Sequence, residues 1–277
     1  MAQQLRQITR LKTYTFHINA YDLAFLGTIF LGLASAVLLW FGKKENKTAN
    51  RFLAMALVII VVYIARTLAL DIGLSTYIPH WSRWPLQFSL AFGPLIYFYV
   101  LKITRPQYQF RYKHLLHFVP LLVELGAQLL AINQGIKTGK STYDTLIYQL
   151  INPLLQVLTF ISTIIYLYAS HKQIENFYHR IKFTNGDRYR YQMRWLHQQL
   201  GGFGMLWFCW LLFAVAGWFF YPNQLGAHTW YPFYLLLAVL ALYTAGTAFL
   251  RVGAGEPLAT PPVYKPAPPA ESKQKGT

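Results

Sequence analysis

Cysteine and acidic residues are scarce in this chain of 277 residues. It has one cysteine, Cys209, and nine Asp and Glu residues against 25 Lys and Arg residues. A single cysteine excludes an intrachain disulfide and a thiolate metal cluster, and its place in an apolar segment makes it a poor nucleophile. His114 and His117 have no evident third ligand, so the sequence predicts neither a metal site nor a cofactor.

Charge is also low, because only 12% of the residues are charged, whereas 55% are hydrophobic and 17% aromatic. This composition is typical of a protein whose solvent is the bilayer. A spanning helix needs about 20 mostly apolar residues, and such segments recur along the chain. We predict an all-α polytopic membrane bundle of seven transmembrane helices, at about 21–42, 51–71, 85–103, 114–133, 147–170, 199–221 and 230–251.

Three regions follow from these spans. Residues 1–20 are polar and lack the apolar run of a cleavable signal peptide, so the first span is expected to stay as an anchor. Residues 21–251 form the transmembrane domain, in which Pro94 predicts a kink in the third span. Residues 252–277 are rich in Pro and Ala, which predicts a semi-rigid cytoplasmic linker without a core of its own.

Lys and Arg alternate between abundant and scarce from one connection to the next. Eighteen of them fall on the side of the C-terminus and six on the side of the N-terminus. Because cytoplasmic connections are enriched in basic residues, we expect an inner (cytoplasmic) membrane protein with the N-terminus outside and the C-terminus inside. This bias, with contact to anionic lipid, explains the net charge of +16 more simply than nucleic-acid binding by the short loops.

Several functions of seven-span proteins lack their residues. The last span has no lysine for a retinal Schiff base, and the triplet at 187–189 resembles a G-protein-coupled receptor motif but precedes the sixth span. The dipeptide Pro106-Gln107 occurs once, without the second copy that a repeat-built carrier would have. Since neither HExxH nor GxSxG is present, we expect no enzyme.

Polar residues inside the spans are the candidate functional residues, because charges at bilayer depth are costly and usually face a cavity. Arg66 and Glu124 are expected to form an ion pair, and nearby amides would orient a small ligand that enters from outside. Spacing places Gln128 on the face of Glu124, and it aligns the amides of Gln149, Asn152 and Gln156 on one stripe of the fifth span. The candidate ligand-binding residues are Arg66, Gln87, Glu124, Gln128, Asn152 and Gln156.

A purely structural interpretation of these residues stays open. Asn and Gln between membrane helices often hold the helices together, at about 1 kcal/mol or less per hydrogen bond. Small residues such as Gly32 and Ala36 are expected to permit close helix packing. The basic aromatic run RYRYQMRWLHQQL at 188–200 predicts an inward extension of the sixth span.

Three segments resemble one family of bacterial proteins. Residues 92–120, FGPLIYFYVLKITRPQYQFRYKHLLHFVP, look like the signature stretch of the seven-span sensor modules that precede AraC-type helix-turn-helix domains in the Bacteroidota. Residues 31–57 are similar to the first hairpin of that family, and residues 181–213 to its fifth loop and sixth span. The likeness covers nearly all of residues 20–251.

The resemblance implies the signal-receiving module of a membrane-tethered AraC-type transcription regulator. The final residues ESKQKGT resemble the opening of the segment that leads to the DNA-binding domain, which is missing from this chain. The resemblance implies cytoplasmic output and a homodimer, with DNA contact only through that C-terminal domain. The other expected partners are the lipid bilayer, from the composition, and a small-molecule ligand from the outer side, from the polar residues inside the spans. A small-molecule carrier or permease-like protein is the alternative.

Overall fold

The structure is a computed structural model that describes residues 19–42, 47–73, 83–105, 107–181, 186–220 and 231–253. Within these ranges the chain is helical and has no β-strand. Short 3₁₀ helices, Tyr112–Phe118 and Thr142–Asp144, precede the fourth and fifth α-helices. The α-helices are α1 Ala20–Phe41, α2 Lys47–Asp71, α3 Ser89–Thr104, α4 Val119–Thr138, α5 Leu146–Ile181, α6 Gly186–Phe220 and α7 Tyr231–Gly253.

Four of the described helical stretches are long and apolar enough to cross a membrane. They are α1, α2, the stretch Tyr112–Thr138 that contains α4, and Leu146–His179 within α5. Large apolar side chains point outward from these helices, for example Phe30, Leu122 and Leu154, which are 74%, 65% and 67% exposed. An apolar exterior of this extent is expected where a protein faces lipid. The all-α prediction is confirmed, while the count of seven spans and the orientation stay predictions.

Two helices are longer than the spans predicted for them. α5 has 36 residues and α6 has 35. At 1.5 Å per residue each helix is roughly 50 Å long, against about 30 Å of hydrocarbon. The predicted inward extension of the sixth span is confirmed as helix, since α6 runs without a break from Gly186. Residues 1–18 and 254–277, which include most of the predicted N-terminal segment and linker, lie outside the described residues.

The third helix begins later than predicted, at Ser89 instead of residue 85. The four residues before it are not helical. Their backbone groups find other partners: the amide of Leu86 donates to the Trp84 carbonyl, and the backbone of Gln87 bonds to a side chain of α4. Because these groups are satisfied outside a helix, α3 is a short helix of 16 residues.

α3 lies at the centre of the bundle. Thirteen of its 16 residues are buried, and it packs against α2, α4 and α5. Phe98, 1% exposed, stacks on Phe52 of α2 and on Phe118. Gly93 permits a close approach of α5, because a Cβ atom there would lie 2.8 Å from the Tyr166 ring. α1 packs at the outside, against α2 and α7.

Contacts along the helices give their relative directions. α3 and α5 run parallel, because Ser89 meets Thr159 where α3 begins and Thr104 meets Gln173 where it ends. α6 is antiparallel to α5, as His197 lies beside His171. The beginnings of α3 and α5 therefore lie at the end of the bundle where α6 finishes, and the central cavity lies toward that end.

Candidate functional site

A cavity of about 340 Å³ lies between α2, α3, α4, α5, α6 and α7. This volume is in the range of small-molecule sites and exceeds that of a water-sized void. Some of its lining residues are polar and others are aromatic, and we call these two groups the polar wall and the aromatic wall. The polar wall contains Gln87, Ser89, Glu124, Asn152, Gln156 and Thr159. The aromatic wall contains Tyr63, Phe92, Trp207, Trp210, Phe233 and Tyr234.

Glu124 of α4 binds the first turn of α3. Its Oε1 atom accepts hydrogen bonds from the Ser89 backbone amide at 3.1 Å and from the Ser89 hydroxyl at 2.6 Å, and Oε2 accepts from the Leu90 amide at 3.0 Å. Glu124 is 1% exposed. The residue before the helix, Phe88, has no side-chain oxygen that could cap these amides. A carboxylate from another helix therefore does so, where the helix dipole favours negative charge.

Thr159 of α5 extends this network into the cavity. Its hydroxyl lies 3.0 Å from that of Ser89. Because the Ser89 hydroxyl proton is used on Glu124, Thr159 donates to Ser89 and keeps lone pairs of its own oxygen as acceptors. A chain of hydrogen bonds thus runs from α5 through α3 to α4.

Two amides and one indole on the cavity surface have no described partner. Asn152 and Gln156 are four residues apart on α5 and line the cavity together. Neither side-chain amide has a hydrogen bond to another described residue. The Trp207 Nε1 atom is buried and lacks a partner among the described residues. The amides of Asn152 and Gln156 are half-buried and are therefore suited to bind a ligand, whereas the Trp207 Nε1 atom is enclosed by the protein.

The aromatic wall is built by contacts between rings from four helices, α2, α3, α6 and α7. Trp207 and Trp210 of α6 have ring centroids 5.5 Å apart, and Phe92 of α3 lies 6.4 Å from Trp207. Tyr63 and Tyr234 meet edge to face at 5.6 Å. The rings hold each other in place, so the wall is a preformed surface against which an apolar ligand body can pack.

Gln128 lies one turn beyond Glu124 and binds the backbone that leads into α3. Its amide oxygen accepts from the Gln87 backbone nitrogen at 3.2 Å, and its nitrogen donates to the Gln87 carbonyl at 2.7 Å. The Gln87 side chain donates to the Tyr148 hydroxyl at 3.1 Å. Glu124 and Gln128 together satisfy the backbone where the chain enters α3, as the structural interpretation predicts.

Arg66 occupies a second, smaller space of about 20 Å³ next to the central cavity. Its guanidinium carbon lies 5.3 Å from the centre of the Tyr143 ring, in a cation–π contact. The ion pair expected between Arg66 and Glu124 is wrong, because among the described residues Glu124 contacts no cation. The N-terminus of α3 supplies the positive potential and the three donors that the guanidinium was expected to supply.

The structure therefore divides the six candidate residues into two groups. Gln87, Glu124, Asn152 and Gln156 line the central cavity. The smaller space beside it contains Arg66 and Gln128, together with Gln87, which lines both.

Sequence reasoning missed the aromatic wall and the two hydroxyls. Trp207 and Trp210 are three residues apart, which places them on one helix face, and this spacing was the available signal. No sequence signal distinguished Ser89 and Thr159, because Ser and Thr are frequent within membrane helices.

Metal binding is not suggested by the described residues, among which no group of three His, Cys, Asp or Glu side chains could hold an ion. Comparisons with known proteins found no matching family model, no similar curated protein and no similar solved structure.

Proposed function

We propose that this chain is the membrane-embedded, signal-receiving module of a membrane-tethered AraC-type transcription regulator. In this proposal seven spans cross the inner (cytoplasmic) membrane, with the N-terminus outside, and the central cavity binds a small ligand from the outer side. The observation that carries the binding part is the cavity itself, whose lining includes the amides of Asn152 and Gln156 of α5, unpaired among the described residues. The link to transcription rests on the resemblance of residues 20–251.

A ligand in the cavity would have a direct route to the other side of the membrane. It would touch α5 through Asn152 and Gln156 and α6 through Trp207 and Trp210. Both helices are long, and they remain in contact near His171 and His197. A ligand that favours one spacing of α5 and α6 would bias the position of their extensions in the cytoplasm. Output on DNA would follow through the C-terminal domain of a homodimer.

A small-molecule carrier is the second candidate, and one observation favours it. α3 is short and is preceded by four non-helical residues, 85–88, of which residues 86–88 line the cavity. Carriers often bind solute where a helix is interrupted in the middle of the membrane. A carrier moves its solute across the bilayer by itself, whereas a receiving module binds the ligand and changes transcription.

Filling the cavity tests the proposal. The variant Gln156→Trp places a large ring among the polar groups, and Gln149→Trp, on an exposed position of the same helix, is the matched control. With the chain joined to an AraC-type output domain, we expect Gln156→Trp to change the transcripts that this domain controls, with Gln149→Trp equal to wild type. Unchanged transcripts together with lost solute uptake would favour the carrier instead, and a helix-turn-helix coding region beyond residue 277 would favour the regulator.

Reporter fusions test the orientation. An enzyme that is active only outside the cytoplasm, fused after Thr277, should be inactive, and the same enzyme fused ahead of the first span should be active. The reverse result would overturn the proposed orientation and the outward opening of the cavity.

A further inference from the structure

Charge is distributed unevenly around the central cavity. Glu124 is the one carboxylate among its described lining residues, and none of those residues is Lys, Arg or His. The N-terminus of α3 offsets part of this charge, by roughly half an elementary charge. Among the described lining residues Glu124 is therefore the one charged side chain, while Arg66, which interacts electrostatically with the lining residue Tyr234, lies over Tyr143 in the smaller neighbouring space.

The N-terminus of α3, which could attract an anion, is already occupied. The amides of Ser89 and Leu90 at the start of α3 both donate to Glu124. The polar wall offers acceptors, together with the N–H groups of the Asn152 and Gln156 amides, which have no described partner. Oε2 of Glu124 accepts a single hydrogen bond, the Thr159 oxygen has lone pairs free, and the amide oxygens of Asn152 and Gln156 are unpaired among the described residues. Acceptors of this kind suit the N–H groups of a cation.

The aromatic wall suits a cation as well. Tyr63, Trp207, Trp210 and Tyr234 present ring systems to the cavity. The faces of Trp and Tyr attract ammonium ions, and the attraction grows when the site is removed from water. An apolar substituent on the cation would pack on the same rings.

We propose that the central cavity binds an organic ammonium ion with an apolar or aromatic body, its nitrogen toward Glu124 and Thr159 and its body against Trp207 and Trp210. This assignment rests on the proposed function, since it names the ligand class of the same cavity. A buried carboxylate and several aromatic rings that line one cavity, with no basic residue among its described lining, form the arrangement that carries it.

Three probes of matched shape separate charge from apolar packing. They are 2-phenylethylammonium, 2-phenylethanol and 3-phenylpropanoate, measured against the full chain in lipid nanodiscs by calorimetry and tryptophan fluorescence, with empty nanodiscs as the blank. We expect the ammonium to bind roughly tenfold or more tighter than the alcohol, as a desolvated cation–π contact implies, and the carboxylate not to bind. Equal or tighter binding of the alcohol or the carboxylate would overturn the assignment, as would binding of none of the three.

Variants at Gln156 test the charge without disturbing the first turn of α3, which Glu124→Gln would do. Gln156→Lys should abolish ammonium binding and leave the alcohol within about threefold of wild type, while Gln156→Glu should strengthen ammonium binding severalfold. The matched control is Gln149→Lys, which lies outside the cavity and should bind as wild type. An ammonium affinity that does not respond to either charge at residue 156 would contradict the assignment.

The two proposals fail in different experiments. If the ammonium assignment is wrong, the probe series loses its charge preference, but Gln156→Trp, in a chain joined to an AraC-type output domain, still changes the transcripts that this domain controls. If the proposed function is wrong, Gln156→Trp leaves those transcripts unchanged, whatever the probes do.

Discussion

The Oε2 atom of Glu124 lies 3.0 Å from the backbone nitrogen of Leu90, so that a carboxylate of α4 caps the first turn of α3. The contact joins residues 34 positions apart in the chain. The contact holds the start of the most buried helix in place. It also puts into the cavity lining the one acidic side chain found among the described lining residues. Packing and the electrostatics of the cavity therefore depend on the same side chain.

Loss of this cap should destabilise the protein. Glu124→Ala leaves the amides of Ser89 and Leu90 without an acceptor, at a cost of about 1–3 kcal/mol for each buried donor. Glu124→Gln keeps one oxygen and should cost less. Thermal unfolding in detergent measures the loss, with Glu175→Ala as the control, because Glu175 is 59% exposed. A Glu124→Ala protein as stable as the control would show that the cap contributes nothing.

Arg66 and Glu124 should act independently, since Arg66 lies over Tyr143 and Glu124 binds α3. In a double-mutant cycle of Arg66→Gln and Glu124→Gln, the unfolding free energies should add within about 0.5 kcal/mol. The two single variants and the double variant are compared under one set of detergent conditions. A coupling energy well above that limit would restore the ion pair expected from the sequence.

Two helical glycines should respond in opposite directions to alanine. At Gly93 a Cβ atom would meet the Tyr166 ring at 2.8 Å, so Gly93→Ala should destabilise the protein by about 1–3 kcal/mol, as overpacking does. At Gly126 a Cβ atom meets nothing within 4 Å. Gly126→Ala should be neutral or stabilising by up to about 1 kcal/mol, because alanine favours helix. The melting temperatures of the two variants check this, and a stabilised Gly93→Ala would contradict the contact.

Stability should fall on acidification through the contact of α5 with α6. Burial and the neighbouring His171 ring, 4.7 Å away, lower the pKa of His197 below its ordinary 6.5. His197 lies outside the predicted sixth span. Because the folded protein disfavours protonation of this ring, the folded state loses stability as the pH falls below the ordinary pKa.

The measurement for this pair is the melting temperature between pH 7.5 and pH 5.5. On acidification the melting temperature should fall less in His197→Gln than in wild type. It should fall as in wild type in His179→Gln, whose side chain is 72% exposed. The difference is expected to be small because both His171 and His197 are exposed. Identical pH profiles for wild type and His197→Gln would show that the pair does not contribute.

Much of the fold could be predicted because the bilayer imposes a strong constraint. Continuous apolar runs and helix periodicity placed most helix ends within a few residues, and the basic run after residue 187 correctly predicted a helical extension. The start of α3 could not be placed, since it depends on what satisfies the backbone of residues 85–88. The partner of the Gln87 backbone is Gln128 of α4, which lies 41 positions away and which no local pattern reveals.

The candidate site was predicted in part. Searching for polar residues at bilayer depth found Gln87, Glu124, Asn152 and Gln156, which line one cavity. The pairing of Arg66 with Glu124 was wrong, because opposite charge is not the only way to satisfy a buried carboxylate. A helix N-terminus does the same, and its position depends on tertiary packing.

The amino-acid sequence by itself determined the helical class, the approximate helix ends and the set of polar residues within the apolar segments, because each of these follows from local composition and period. Only the tertiary structure decided which of those residues meet. It placed Glu124 at the start of α3 and Arg66 over the Tyr143 ring, and it placed two tryptophans of α6 in the lining of the same cavity as the amides of α5. Such contacts join distant parts of the chain, and their energies depend on distance and burial that no local pattern contains.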